Sequence, residues 1–183
     1  METSAPDFEQ ENLILLNLIG SLMAHPIEGF EYKSFNELIS EDPRLGVRVH
    51  MVFENQTPIE IHLYHPPTAS IDSGFQILAE HLQGLRNFAR QDPQLDFRKL
   101  NVQPSNDWIA TDRAFFVTQL ELQWEGVRQN VQLISGNVFN SHCRVTIKSP
   151  QGEFTDLRKF LPGLSRLLED ASQRVLKTFE RAG

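Results

Sequence analysis

An α+β fold on an antiparallel sheet follows from three features of this 183-residue sequence. Several segments alternate apolar and polar residues with a period of two, and long segments repeat apolar residues at helical spacing. No regular crossover of the kind that parallel strands require is present. The predicted form is a hairpin plus a three-stranded meander, flanked by helices and preceded by an N-terminal helical arm. No repeat, low-complexity tract or linker divides the chain. One domain is therefore expected over 1–183, with 1–43 as arm and connection and 44–183 as sheet-and-helix core.

The first apolar stretch, Leu13 to Met23, contains Asn17, Gly20 and Ser21 and falls short of the roughly twenty residues that span a bilayer. It reads as an amphipathic helix docked on the core. Its Leu13-Ile14-Leu15-Leu16 run leaves a second reading open, a helix that packs on a partner or on a second copy. Residues 24–45 hold His25-Pro26, Gly29, Asp42-Pro43 and read mostly as connection.

In 47–53, Val47, Val49, Met51 and Phe53 alternate with Arg48 and His50; in 59–64, Ile59, Ile61 and Leu63 alternate with Glu60, His62 and Tyr64. Asn55-Gln56-Thr57-Pro58 reads as the turn between them, because Pro58 has no donor for a central ladder. Residues 46–65 are thus a hairpin with one buried face. After Pro66-Pro67, the residues Phe75, Leu78, Ala79, Leu82, Leu85, Phe88 and Ala89 mark an amphipathic helix that Gln91-Asp92-Pro93 stops. A shorter strand is expected around 96–102.

Phe116, Thr118, Leu120, Leu122 and Trp124 then share one strand face. A two-residue turn at Glu125-Gly126 would pair Trp124 with Val127, Leu120 with Val131 and Thr118 with Leu133. Phe139, Cys143, Val145 and Ile147 continue the meander against Asn140, His142, Arg144 and Lys148. A final helical stripe runs from about Asp156 to Arg181; Pro162-Gly163 place its start at Leu161, after a short helical turn.

Composition narrows the function. The 24 acidic groups against 17 Lys and Arg give a formal charge of −7, which argues against nucleic acid or an anionic membrane as the main partner. The first twelve residues carry four acids and no base, unlike a secretory signal, so the cytoplasm is the expected compartment. The single Cys143 sits in the apolar phase of its strand, with His142 on the opposite face, and reads as a small buried hydrophobe. Phosphate loops, nucleophile elbows and zinc-protease motifs are absent.

Two constellations remain. If Met51 faces Ile61 across the hairpin, His50 faces His62 near Glu54 and Glu60, a minimal metal set set against the plainer reading of two polar side chains on a wet face. Gln119, Glu121, Gln123, Arg128, Asn130 and Gln132 share a sheet face that is either solvated or a recognition surface. Trp108, after Pro104-Ser-Asn-Asp107, is either an exposed anchor or a buried cover.

The text Leu45-Gly46-Val47-Arg48-Val49, leading to Ile59-Glu60-Ile61-His62-Leu63-Tyr64-His65 and then a long helix, resembles the PsbP-like/DcrB-like α/β sandwich over residues 44–181. The resemblance implies a five- or six-stranded antiparallel sheet flanked by helices and a largely non-enzymatic group of assembly factors, chaperones and a small-GTPase binder. It carries no catalytic residues over. Small acidic type III secretion chaperones are a second resemblance, which the meander and long last helix fit less well.

The expected function is a non-catalytic protein-binding or chaperone/assembly-type module without a cofactor. Leu13, Leu16, Trp108, Gln119, Glu121, Arg128 and Asn130 are its candidate binding residues. A protein partner or a homodimer is expected, without nucleic acid or membrane insertion. Deleting residues 1–24 is expected to spare the fold and abolish partner binding. The alternative is a small-ligand-binding domain with a pocket between sheet and helices, lined by Trp108, Phe116 or Trp124.

Overall fold

The computed structural model describes residues 8–54, 56–65, 74–105, 115–139, 141–150 and 155–182. These residues form α1 (Phe8–Ala24), β1 (Phe30–Glu37), β2 (Val47–Phe53), β3 (Thr57–Tyr64), α2 (Gly74–Gln91), β4 (Leu95–Ser105), β5 (Phe115–Trp124), β6 (Val127–Val138), β7 (Ser141–Pro150) and α3 (Leu157–Ala182). The strands make one antiparallel sheet in the order β1-β2-β3-β7-β6-β5-β4, an α+β fold as the alternation predicts. Two meanders, 1-2-3 and 4-5-6-7, meet at the β3–β7 ladder.

Period-two alternation gives the sheet two different faces. On the first, Val49, Ile61, Val145, Ile134 and Val117 stand in one row across five strands, each paired with the next and each buried. α1 and α3 cover this row. Leu15, Leu18, Ile19 and Leu22 from α1 join Phe160, Leu164, Leu167 and Val175 from α3 in the same core. α2 lies on the second face, where Leu78 closes over Leu120, Val131 and Leu133.

The β5–β6 hairpin keeps the predicted register, with Glu125 and Gly126 both at positive φ (49° and 80°) as a tight two-residue turn demands. The β2–β3 hairpin does not. Met51 pairs with Ile59 rather than Ile61, so His50 faces Glu60 and His62 faces Arg48. Alternation fixes which face a residue takes but is blind to a slip of two. Pro58 is taken into β3 opposite Val52, outside the β7 ladder that starts at Ile59, so its missing donor interrupts no central pairing.

Residues 24–45 are not mere connection. β1 pairs along β2 as an edge strand, and a register shift between Tyr32 and Ser34 breaks its alternation, which hides it in the sequence. Its Phe30 ring packs on Phe53 and Phe160, with centroids 4.9 and 5.7 Å away. Gly163 makes the room: a Cβ there would lie 2.9 Å from the Phe30 ring. Gly46, at φ 63°, lets the chain enter β2 where a Cβ would fall 1.9 Å from the Leu63 carbonyl oxygen.

α3 starts at Leu157 rather than Leu161, with Pro162 inside the helix. The Asp156 carboxylate accepts the Arg158 N–H at 3.1 Å and caps the first turn, while Phe160 and Leu161 anchor that turn in the core. α1 is tied in at its other end. Asn12 donates to the Pro43 carbonyl at 2.9 Å and accepts the Nε2–H of His65 at 2.8 Å. Residues 8–24 therefore contribute to the core, and their deletion is expected to destabilise the fold rather than spare it. No described helix is long and apolar enough to cross a membrane.

Leu18→Ala should cost about 2–5 kcal/mol of stability, the usual range for a fully buried leucine. Leu13→Ala, at a position 51% exposed, should stay within about 0.5 kcal/mol. Urea denaturation of both variants checks this, and equal small losses would show that α1 does not support the core.

Candidate functional site

The second sheet face changes character from β2 to β5. Its first row runs Arg48, His62, Arg144, Ser135, Phe116, and the next runs His50, Glu60, Thr146, Leu133, Thr118. The β2, β3 and β7 positions are polar, while on β6 and β5 Ser135 and Thr118 give way to Leu133, Val131 and Leu120 under α2. His81 descends from α2 at the border, in phase with Leu78 and Leu85.

Arg144 is the hub of the polar part. Its Nη2 donates to Nδ1 of His62 at 3.2 Å and its Nη1 to Nδ1 of His81 at 3.4 Å. Because a guanidinium only donates, both rings must carry their proton on Nε2. His62 uses it toward the Leu45 carbonyl at 2.8 Å and His81 toward the Tyr64 oxygen at 2.6 Å. The Tyr64 ring stacks on His62 and meets the Arg144 guanidinium at 6.0 Å. The nearest carboxylate, Glu60, keeps 3.8 Å from Nη2. Nε of Arg144, like Nε of Arg48, is buried without a hydrogen-bond partner among the described residues.

His142 belongs to a second chain of bonds. Its Nδ1–H donates to the Asn137 amide oxygen at 3.2 Å, and its Nε2 accepts the Ser135 hydroxyl at 2.9 Å. Nucleophile, base and orienting group follow in the order used by hydrolases. Ser135 and His142 are 1% and 0% exposed, however, so no substrate carbonyl has access to the hydroxyl. Burial also pushes His142 down to about 3, far below a working base, and Cys143 up to about 12.

Beside this network a cleft of about 450 Å³ opens between α2 and the sheet. Leu85, Phe88, Leu120, Leu122, Val131 and Leu133 form its apolar wall. His81, Arg144, Thr146 and Lys148 form one end, with Glu80 from the helix. Gly84 faces into it, and a Cβ there would meet no atom within 4 Å. Phe88 is half exposed at the cleft, and Trp124, 53% exposed, lies two positions along β5 from Leu122 on the same face.

The residues singled out by sequence scatter. Gln119, Glu121, Arg128 and Asn130 lie on the first face, opposite the cleft; Asn130 is buried, Glu121 and Arg128 are exposed, and Arg128 donates to Gln123 at 3.0 Å. Gln132 on the same face is buried and bonds the Thr155 carbonyl. Leu13 and Leu16 are exposed on α1. Trp108 lies outside the described residues. The expected cross-strand pairing of His50 with His62 fails with the hairpin register, and His62 spends both ring nitrogens on Leu45 and Arg144. Among the described residues no cluster of His, Cys, Asp and Glu is placed to hold a metal ion. The network itself was missed, although His81 sits in the apolar stripe of α2, an out-of-place polar residue that marks a buried partner.

No family model matches the chain, and no curated protein matches it. Among solved structures, the fold is similar to the solution structure of cyanobacterial PsbP (CyanoP) from Synechocystis sp. PCC 6803. That match covers 79% of this chain and 81% of the other at 7% identity, with a TM-score of 0.45.

Burial, with Arg144 nearby, holds His62 and His81 down to about 4 as well. An unfolded histidine takes its proton near pH 6.5. Between pH 6.5 and the folded values the unfolded chain binds more protons, so stability rises with pH and is lost as pH falls from 6.5 toward 4. The urea midpoint should therefore drop clearly from pH 7 to pH 5. His81→Gln should flatten that drop, and an unchanged midpoint would mean these rings are not held neutral.

Proposed function

We propose that this chain is a non-catalytic binding module whose site is the cleft between α2 and the second sheet face, and that its ligand is a small, largely apolar molecule. The observation that carries this reading is the cleft itself. Its size falls within the roughly 300–1,000 Å³ typical of small-molecule sites, and an apolar wall with a few polar groups at one end is the usual makeup. Gly84 keeps it open where nearly any other residue would help to fill it and would favour the helix. The sealed Ser135–His142 pair and the high thiol of Cys143 support a binding rather than a catalytic role.

A second reading, a docking module for another protein or a second copy of the chain, rests on α1. Leu13 and Leu16, 51% and 40% exposed, lie on the side of the helix turned away from Leu15, Leu18 and Leu22. Leu13→Glu combined with Leu16→Glu leaves the buried stripe intact. It should lower the light-scattering mass or abolish partner capture if α1 is the docking face; no change in either sinks this reading.

The cleft is tested with Gly84→Leu. Nile red, a neutral apolar dye, should brighten with the native chain and lose most of that signal with the variant, whose melting temperature should hold or rise. Equal dye binding by both proteins, or none by the native chain, would overturn the proposal.

A further inference from the structure

We infer that the ligand of this cleft ends in a carboxylate, which Arg144 and Lys148 receive while its apolar body lies along Leu85, Leu120, Leu122 and Val131. This inference rests on the cleft reading above and adds the head-group chemistry. Charge is the first argument. The whole chain is at −7, yet this end of the cleft gathers two cations against one carboxylate, Glu80, which is exposed on α2. Cationic donors gathered at the end of an apolar slot suit a monoanion. Glu60, on the neighbouring row, offsets part of their charge through an ion pair 3.8 Å from Nη2, but at that distance it takes none of the Arg144 donors.

Unused bonding capacity is the second argument. A guanidinium carries five donors in a planar fork that suits a carboxylate. Arg144 directs Nη1 and Nη2 to His81 and His62, both neutral acceptors, and its buried Nε has no partner among the described residues. A partly buried guanidinium whose hydrogen bonds go to neutral rings, with its one ion-pair partner among the described residues at 3.8 Å, keeps donor capacity for an anion within reach. Arg48, one row position beyond His62, adds a second guanidinium nearby, and its Nε too has no partner among the described residues. Thr146, lining the same end, adds a hydroxyl donor. The apolar wall supplies no polar atom to hold a head group at the opposite end, so the direction of the ligand is set.

The test uses the full chain and three probes with the same tail: decanoate, decanol and decyltrimethylammonium, each titrated calorimetrically below its micellar concentration. Decanoate should bind at least about tenfold more tightly than decanol, since a hydrogen bond to a charged group is worth a factor of that order. Its advantage should shrink with added salt. Lys148→Gln, an exposed position, should remove part of that advantage; Arg144→Gln should remove most of it. If Arg144→Gln does not fold, Lys148→Gln carries the test alone. Equal affinity for decanoate and decanol, or a preference for the ammonium, overturns the carboxylate inference and leaves the cleft reading standing. Binding of none of the three overturns both, and decanoate binding that survives Gly84→Leu places the anion elsewhere and overturns the inference.

Discussion

Every other part of this fold depends on the ladder between β3 and β7. It joins two meanders that would otherwise be separate small sheets, and it does so with residues that divide cleanly between the faces. Ile59, Ile61 and Leu63 meet Ile147, Val145 and Cys143 under α1 and α3; Glu60, His62 and Tyr64 meet Thr146, Arg144 and His142 on the reverse. A slip of one residue would put an arginine into the main core and isoleucines onto the polar network. The two faces therefore enforce a single register together, each by a different penalty.

The polar network shows how a sheet interior tolerates a guanidinium. Arg144 needs acceptors, and its nearest carboxylate, Glu60, stands at 3.8 Å, too far for a hydrogen bond. Desolvation keeps His62 and His81 neutral, and only neutral imidazole offers a lone pair to a cation. Burial of the rings thus creates the acceptors that a partly buried arginine requires. Both terminal nitrogens gain acceptors while Nε stays without a partner among the described residues, at the border of an otherwise apolar cleft. The same logic separates the Ser135–His142–Asn137 chain from an active site: the bonds follow the right order, but they serve to satisfy polar atoms sealed inside the sheet.

Much of the architecture was legible in the sequence because alternation is a local signal. β2, β3, β5, β6 and β7 and the helices α1, α2 and α3 all announce themselves by period, and the Glu125-Gly126 turn fixes its hairpin outright. β1 was hidden because its bulge shifts phase midway and its edge position leaves it largely exposed. The start of α3 was misjudged because Asp156 caps a turn that the core holds despite Pro162. The site was illegible for a different reason. His62 and Arg144 are 82 positions apart, and only the β3–β7 pairing brings them together. Phase alone could place each side chain on a face, not beside its partner.

The packing of α1 against α3 has a temporal consequence. The leucine stripe of the first helix closes against the last helix of the sequence, with all seven described strands encoded between them. While the chain is being made, Leu15, Leu18 and Leu22 emerge first and wait longest for their cover. Contacts of such sequence separation form late and slowly, and an apolar face left open in the interim is a site for misassembly. The cover of the first helix can thus form only after α3 has been made.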